Sequence, residues 1–343
     1  MIEVKHLTKR YGGHTAVSDL SFEIEKGVIY GFLGPNGAGK STTMNIITGC
    51  LGATDGEVLV DGHSVSEEPM EAKKRIGYLP ELPPLYTDMT PLEYLRFVAE
   101  AKNVPHKEQA EQINTVMEKT GITQVKNRMI RNLSKGYKQR VGIAQALLGK
   151  PEVIILDEPT VGLDPAQIIE IRDLIRELGK EHTIVLSSHI LSEVQAVCDS
   201  IMIISGGKLV ASDTTENLTK RFAGTQTIRV ESNEDEKHMR KALSNVKDIA
   251  SVELKPNDKG TTVLEIKAEE EADIREKVFN AFAKADIALL EMTTVHADLE
   301  DVFLELTQTD SKVAQDAPKA DEQEDQGESH EEETQEAGGE EAQ

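Results

Sequence analysis

Residues 31–42 read GFLGPNGAGKST, an apolar run that changes abruptly into glycine, one lysine and hydroxyl side chains. Residues 28–33 have the short apolar pattern of a buried strand in a parallel sheet, and helical spacing resumes over residues 42–47. The pattern G-x-x-x-x-G-K-[ST] therefore lies between a strand and a helix, the context that a phosphate-binding loop requires. A turn that merely contains many glycines is the alternative, and the flanking elements argue against it.

The residue types of this loop suit the phosphates of a nucleoside triphosphate. Glycine lets successive backbone N–H groups point at one anion, and the following helix adds roughly half a positive charge at its N-terminus. We expect Lys40 to reach the β- and γ-phosphates and the Ser41 hydroxyl to ligate Mg²⁺. The candidate nucleotide-binding residues of the loop are Gly34, Pro35, Asn36, Gly37, Ala38, Gly39, Lys40, Ser41 and Thr42.

A second apolar strand, over residues 153–156, ends in two adjacent carboxylates, Asp157 and Glu158. A parallel sheet places such residues beside the phosphate-binding loop, at the carboxyl edge where ligands bind. Burial of an unpaired carboxylate is expensive, so two acids at the end of a buried strand favour a functional site. Asp157 suits the magnesium side, and Glu158 suits a general base or a group that orients the attacking water.

Length and composition limit the classes of protein that this chain can be. Its 343 residues suffice for roughly two domains, and no apolar run approaches the roughly 18 residues that span a bilayer. The first residues lack the apolar segment of a signal peptide, so we expect a cytoplasmic protein. The two cysteines, Cys50 and Cys198, are far apart and are predicted to be small buried hydrophobic residues. A formal net charge of −23 argues against general binding to nucleic acid.

Much of the negative charge lies at the end of the chain. Residues 310–343 contain 13 acidic residues against two lysines and have almost no apolar content. Such a composition cannot offset the entropy of ordering, so residues 309–343 are predicted to form a disordered acidic tail. Solubility is its simplest role, and docking onto a basic partner surface is the alternative.

Three further motifs follow the phosphate-binding loop in a fixed order. They are LSKGYKQR at residues 133–140, ILDEPTVGLDP at 155–165 and SSHIL at 187–191. With the loop, they resemble the ATP-binding cassette (ABC) ATPases over about residues 1–220. The resemblance implies an α/β fold with a RecA-like P-loop NTPase core, an antiparallel β-subdomain and a helical subdomain at about residues 82–150. It also implies ATP and Mg²⁺ as cofactors.

The resemblance gives roles to single residues. Tyr11 matches the position at which the family stacks an aromatic ring on adenine, and an ordinary core tyrosine is the alternative. His189 matches the histidine that contacts the γ-phosphate, and Asp164 matches the loop that crosses to a second cassette. One departure from the family is Glu81, which stands where most members have a glutamine near the metal. A carboxylate is a competent magnesium ligand, so Ser41, Asp157 and Glu81 form the candidate metal site.

The LSKGYKQR segment implies a dimer. Ser134 and Gly136 match positions that donate a hydroxyl and a backbone N–H to the γ-phosphate held by another cassette, while Lys135 replaces a usual glycine. Because the segment cannot reach its own loop, two cassettes close head to tail around two ATP molecules, as a homodimer or with a close relative. The candidate signature residues are Leu133, Ser134, Lys135, Gly136 and Tyr137.

In the family, the helical subdomain also receives a helix of a separate transmembrane permease. Thr90, followed by proline and then Glu93, predicts a capping box at a helix start. The apolar, proline-stiffened loop at residues 82–86 is the candidate permease contact, with simple core packing of a loop as the alternative.

Residues 221–308 are predicted to form a small C-terminal α+β domain. Their pattern reads strand, helix, strand, strand, helix, strand, which is the ferredoxin-like arrangement. A closing helix is predicted from the spacing of Leu299, Val302, Phe303 and Leu306. Cassettes of the exporter type often carry a similar extension, for which we expect a role in dimer support or regulation.

The predicted function is therefore that of an ATPase subunit that powers a separate membrane permease, most simply an exporter. It would lie on the inner face of the cell membrane, held there by its permease. The alternative is a soluble ABC ATPase that acts on ribosomes or DNA, although such proteins usually have two cassettes or a basic face. A binding module without turnover is disfavoured by Glu158 and His189.

Overall fold

The computed structural model describes residues 1–222, 227–257, 260–269 and 272–295. The strands of residues 1–222 are β1 (Ile2–Tyr11), β2 (His14–Ile24), β3 (Ile29–Leu33), β4 (Asp55–Val60), β5 (His63–Ser64), β6 (Ile76–Leu79), β7 (Val153–Asp157), β8 (Thr183–Ser188), β9 (Ser200–Ser205) and β10 (Lys208–Thr214). The helices are α1 (Lys40–Ile47), α2 (Pro69–Lys74), α3 (Pro91–Ala101), α4 (His106–Lys119), α5 (Lys135–Leu147), α6 (Pro165–Gly179), α7 (Leu191–Val197) and α8 (Thr215–Phe222). Short 3₁₀ turns lie at Thr123–Val125 and Ile130–Asn132.

A six-stranded sheet forms the centre of this part of the chain. Its order is β10-β9-β3-β8-β7-β6, and every pairing is parallel except that of β10 with β9. Every residue of β7 and β8 is buried, as expected for strands covered on both faces. The carboxyl ends of β3, β7 and β8 therefore meet at one edge of the sheet, which is where ligands bind in open α/β folds.

A second, antiparallel sheet packs on the first. Its order is β2-β1-β4-β5, and apolar residues of its inner face, such as Ile2 and Leu20, share a core with Phe32 of β3 and Met44 of α1. The rings of Phe22 and Phe32 lie 5.7 Å apart between centroids. The strand before the phosphate-binding loop and the helix after it are thus both fixed by this shared core.

Helices α3, α4 and α5 form the helical subdomain. The predicted capping box is present, since the Thr90 hydroxyl accepts from the Glu93 backbone N–H and the Glu93 carboxylate accepts from the Thr90 N–H. Leu95, Ile113 and Met117 belong to the large apolar core that also contains β7 and β8. The predicted burial of the cysteines holds for Cys198 but is wrong for Cys50, which is exposed in the turn after α1.

The residues after 222 contain a separate sheet. Its elements are β11 (Thr227–Ser232), α9 (Glu236–Leu243), β12 (Ile249–Lys255), β13 (Thr262–Ala268), α10 (Arg275–Lys284) and β14 (Leu289–Val295). The four strands pair antiparallel in the order β12-β13-β11-β14 and share a core with the two helices through Leu264, Met239 and Phe282. The predicted closing helix and the acidic tail lie outside the described residues. No helix within those residues is both long and apolar enough to cross a bilayer.

Lys102 ties helix α3 to the end of helix α5. Its Nζ donates to the carbonyl oxygens of Gln145, Ala146 and Leu148 at 3.0, 3.1 and 2.8 Å. The last carbonyls of a helix have no partner within the helix, and a lysine ammonium at this end also suits the helix dipole. Burial lowers the pKa of Lys102 to about 8.

The substitution Lys102→Met should therefore destabilise the helical subdomain, because three buried carbonyls lose their donor. We expect the free energy of unfolding to fall by about 1–3 kcal/mol, measured by urea denaturation. Lys107→Met on the exposed side of α4 is the matched control and should change it by less than about 0.5 kcal/mol. Equal stability of the two variants would contradict the role given to Lys102.

Candidate functional site

The loop between β3 and α1 has a conformation that requires glycine at two positions. Gly39 has a φ of 103°, and a Cβ there would lie 2.6 Å from the carbonyl oxygen of Ala16 in β2. A Cβ at Gly34 would lie 2.4 Å from the carbonyl oxygen of Ile204 in β9. Both distances are shorter than any contact that a side chain tolerates. The glycines therefore let the loop sit directly against the backbone of its neighbours.

Lys40, the first residue of α1, is buried within this loop. Its Nζ donates to the carbonyl oxygens of Gly34 at 2.8 Å and Pro35 at 3.3 Å, and lies 3.6 Å from Oε1 of Glu158. A buried charge is costly unless it is paired and hydrogen-bonded. The ammonium meets both conditions, so one positive charge is held in place at the loop.

Asp157 ends β7 and lies beside the start of α1. Its Oδ1 accepts from the Ser41 hydroxyl at 3.3 Å and from the Ser187 hydroxyl at 2.5 Å. Ser187 is opposite Asp157 in the pairing of β7 with β8. The carboxylate is thus fixed by its strand neighbour and joined to the first turn of α1 through Ser41.

Glu158 follows in a strained backbone conformation that directs its side chain toward the loop. Its φ is 48°, in the left-handed region, and its backbone N–H donates to the Ser187 hydroxyl at 2.9 Å. Its Oε2 is 2.9 Å from Nδ1 of His189, while its Oε1 faces Lys40. The side chain of Glu158 is 8 % exposed and that of His189 is 39 % exposed. A left-handed backbone costs a non-glycine residue roughly 1–3 kcal/mol, so the surrounding contacts must hold it there.

Gly39, Lys40, Glu158 and His189 line one cleft of about 580 Å³, a volume within the usual range for small-molecule sites, whereas Gly34 and Asp157 are not among its lining residues. The ring of Tyr11 is 49 % exposed at this cleft, which does not fit an ordinary core tyrosine, and Lys9 Nζ lies 5.2 Å from its centroid. The cleft joins the predicted loop, metal and catalytic positions in one place. Its lining residues are Tyr11, His14, Ala16, Asn36, Gly37, Gly39, Lys40, Ser41, Thr42, Glu81, Glu158, Val161 and His189.

The signature segment lies elsewhere, since none of residues 133–137 lines this cleft. Ser134 caps helix α5 by accepting from the Tyr137 backbone N–H at 3.3 Å. Lys135 is exposed, and its Nζ would be 2.2 Å from a Cβ at Gly162, so it lies over the loop after β7. Asp164 in that loop caps helix α6 through the Gln167 backbone N–H at 2.9 Å.

Comparisons with known proteins identify the family. The family described as "ABC transporter" matches residues 17–161. An uncharacterized ABC transporter ATP-binding protein, YhcH of Bacillus subtilis, is 37% identical over 311 residues, covering 90% of this chain and 96% of that protein. The chain is an ABC transporter ATP-binding subunit. Such cassettes are ATPases and bind ATP and ADP.

Two other similar proteins extend this finding. The linearmycin resistance ATP-binding protein LnrL of Bacillus subtilis is 34% identical over 312 residues, covering 90% of this chain and 98% of that protein. A dimeric structure of an ATP-binding cassette in a post-hydrolysis state, bound to ADP and Pi, matches with a TM-score of 0.57 and 26% sequence identity. That match covers 62% of this subunit and 98% of the cassette. The α/β P-loop NTPase core is thus shared with known cassettes.

Sequence reasoning on this subunit missed residues that hold the site together. Ser187 contacts both Asp157 and the backbone of Glu158, although the sequence showed it only as the first residue of the SSHIL motif, with no role of its own. The buried carboxylate of Glu193 accepts from Thr160 and, at 3.3 Å, from Ser188, so it joins the loops after β7 and β8. Tyr78 of β6 donates to Asn45 of α1 at 3.1 Å. Burial, with a smaller effect from Asp157, raises the pKa of this tyrosine, which stays neutral.

The position of Glu81 at the cleft leads to a test of its charge. Glu81→Gln removes one negative charge near the metal position, so we expect the Mg²⁺ concentration for half-maximal ATPase activity to rise about fivefold, with hydrolysis retained. The matched control is Glu118→Gln on the exposed face of α4, which should leave this concentration unchanged. Identical magnesium curves for wild type and Glu81→Gln would show that Glu81 does not act on the metal.

Proposed function

We propose that this subunit closes head to tail with a second cassette around two ATP molecules, and that hydrolysis drives a separate transmembrane permease. The contact that carries this proposal is that of Glu158 with both Lys40 and His189, at 3.6 and 2.9 Å, inside the cleft. A cation for phosphate, a carboxylate for water and a histidine for the terminal phosphate are thereby within reach of one small ligand. This combination suits cleavage of a phosphoanhydride better than simple binding.

The nucleotide occupies the cleft along its length in this proposal. The backbone N–H groups of residues 34–39 and the N-terminus of α1 bind the phosphates, and Lys40 neutralises the β- and γ-phosphates. Tyr11 stacks on the adenine, for which its half-exposed ring is suited. Thr42 and Asn36, which also line the cleft, add polar contacts beside the phosphates.

The oxygen donors at the cleft fit Mg²⁺. The Ser41 hydroxyl and the Asp157 carboxylate are 3.3 Å apart, and Glu81 lines the same cleft. Magnesium prefers hard oxygen ligands and usually binds through one or two carboxylates together with substrate phosphates. Ser41, Asp157 and Glu81 would hold the ion, which when bound neutralises charge that develops on the phosphates.

Glu158 is the general base of the proposed reaction. Its carboxylate accepts a proton from the attacking water, and the left-handed backbone fixes where that carboxylate points. His189 orients Glu158 through Nδ1 and, being partly exposed, is available to contact the γ-phosphate. Lys40 offsets the charge that accumulates on the phosphate oxygens.

A second cassette completes the site. The hydroxyl of Ser134 and the backbone N–H of Gly136 are at the N-terminus of α5 and not in the cleft, so they serve an ATP molecule held by another copy. Because Lys135 lies over the loop that carries Asp164, the signature and this loop form one continuous surface. The resulting interface is isologous in a homodimer and pseudo-symmetric with a related subunit.

The variant Glu158→Gln tests hydrolysis and dimerisation together. Without the base, we expect phosphate release to fall by about 100-fold or more, while ATP binding persists and an ATP-dependent dimer accumulates. Light scattering after size exclusion, with and without ATP and Mg²⁺, measures the dimer. Glu118→Gln should behave as wild type. Undiminished phosphate release by Glu158→Gln would refute the role of this residue, and a particle that stays monomeric with ATP would refute the dimer.

The permease contact is proposed at an exposed apolar surface of the helical subdomain, made by Leu82, Tyr86 and Phe97. Leu82 is 82 % exposed, and the rings of Tyr86 and Phe97 meet edge to face at 5.2 Å between centroids. Leu85 of the same loop packs partly against the core. We therefore assign core packing to Leu85 and the permease contact to Leu82 and Tyr86. Exposed aromatic and aliphatic side chains of this kind are typical anchors at protein interfaces.

Replacing two residues of this surface, Leu82→Asp with Phe97→Asp, should release the subunit from membranes. The fraction that sediments with membranes of the source cell should fall at least about tenfold, because a charge at an interface core costs more than about 1.4 kcal/mol. ATP-dependent dimerisation should be retained. Met70→Asp, at a methionine of α2 that is 64 % exposed, is the control and should sediment as wild type. Unchanged sedimentation of the double variant would place the permease contact elsewhere.

An exporter is the favoured type of transporter because the relative LnrL is named for resistance to linearmycin. The subunit would then work in the cytoplasm, peripheral to the inner face of the cell membrane. A soluble ABC ATPase that acts on ribosomes or DNA is the second candidate, and the net charge of −23 disfavours a nucleic-acid partner. The C-terminal unit, with the strand order of a ferredoxin-like domain, is proposed to support or regulate the dimer.

A further inference from the structure

A basic groove lies between helices α9 and α10 of the C-terminal unit, with a volume of about 750 Å³. Both helices face it with residues at positions i, i+3, i+4 and i+7. Three of its lining residues are small, Ala242, Ala281 and Ala285. Its remaining lining residues are His238, Lys241, Asn245, Val246, Lys247, Asp248, Lys277, Asn280 and Lys284.

The charge of the groove is mostly uncompensated. Of its four lysines, Lys277 pairs with Asp248, whereas Lys241, Lys247 and Lys284 form no ion pair with any residue that the structure describes. The lysine Lys255 on β12 of the same unit is compensated, because it pairs with Glu253 and Glu265 at 3.2 Å each. Unpaired lysines gathered in one groove are unusual in a chain of net charge −23, and they call for an anionic occupant.

We propose that the groove binds the acidic tail of the same chain, residues 310–343. This segment has 13 acidic residues and two lysines, a net charge of −11, and its composition suits charge-driven binding without a fixed fold. Its glutamate-rich part, residues 321–341, can place carboxylates along a groove walled by lysines.

The tether makes the intramolecular contact feasible. The last described residue is at the end of β14, and residues 296–309 separate it from the acidic segment. Even with residues 299–306 helical, these residues can span roughly 30 Å. A unit of about 70 residues has a radius of gyration of only about 11 Å, so the tail can reach the groove from any side. A short tether also gives an effective concentration on the order of millimolar, which offsets the weakness of single exposed ion pairs.

The binding is expected to depend on salt, because the groove lysines are exposed to solvent. This inference concerns only the C-terminal unit and its tail, so it does not rest on the proposed catalytic roles.

Zero-length carbodiimide coupling of the full-length subunit, followed by mass spectrometry of its peptides, tests the contact. We expect tail carboxylates to couple to Lys241, Lys247 and Lys284 at least about tenfold more often than to Lys237 and Lys267, and the preference to vanish near 1 M salt. Lys237 is exposed on α9 but does not line the groove, and Lys267 is exposed on β13. Coupling spread evenly over these lysines would overturn the proposal.

A pair of matched variants separates local binding from total charge. Lys241→Glu with Lys284→Glu should reduce tail coupling to Lys247 about tenfold, whereas Lys237→Glu with Lys267→Glu, which changes the net charge equally, should not. An unchanged circular dichroism spectrum and thermal unfolding profile would show that both variants are folded. Equal coupling in the two variants would overturn the proposal.

Mixed samples identify the chain that supplies the tail. When chains labelled with ¹⁵N are mixed with unlabelled chains, coupling within one chain gives only products of uniform label. A large share of mixed-label products would mean that the tail of a second copy fills the groove, and this result would overturn the intramolecular assignment.

Discussion

The site depends on one electrostatic constraint, the burial of the Lys40 ammonium opposite the Glu158 carboxylate. Neither charge could stay at this depth alone, because the cost of removing an ion from water exceeds what one neutral hydrogen bond returns. Lys40 therefore takes two loop carbonyls as further acceptors, and Glu158 takes His189 as a second partner. The loop after β3 and the loop after β7 are thereby held in register across β8, which lies between the two strands.

Ser187 of β8 fixes the position of the two acids at the end of β7. Its single hydroxyl donates to the Asp157 carboxylate and accepts from the Glu158 backbone N–H, so both acids are fixed by one side chain of the intervening strand. The second contact also stabilises the left-handed backbone of Glu158, which would otherwise relax toward a common conformation. The buried carboxylate of Glu193 in α7 also accepts from the hydroxyls of Thr160 and Ser188. It thereby joins the loop after β7 to the end of β8.

The sequence predicted those parts whose physics is local. The strand, loop and helix around Lys40 follow from an apolar run, glycine and helical spacing, and the structure differs only by starting β3 at Ile29 and α1 at Lys40. The capping box was predictable because Thr90 and Glu93 are three residues apart. The roles of Ser187, Glu193 and Lys102 were not, since each contacts groups on other elements, which only the folded chain brings together. The predicted burial of Cys50 was wrong because composition alone does not place a residue inside a core.

In the proposed dimer, the signature of one chain completes the nucleotide site of the other. Within the single chain, the Ser134 hydroxyl caps α5 by accepting from the Tyr137 N–H. At 3.3 Å this contact is weak, and the residue remains exposed. A hydroxyl can accept one hydrogen bond and donate another at the same time. In the proposed dimer, the Ser134 oxygen keeps accepting from the Tyr137 N–H while its hydrogen is donated to a phosphate oxygen of a nucleotide held by another cassette. Lys135 adds a positive charge at the same helix end, where it attracts phosphate without entering the loop geometry. The replacement of glycine by lysine is thus compatible with the proposed dimer, because the Lys135 side chain lies over Gly162 and outside the cleft of its own chain.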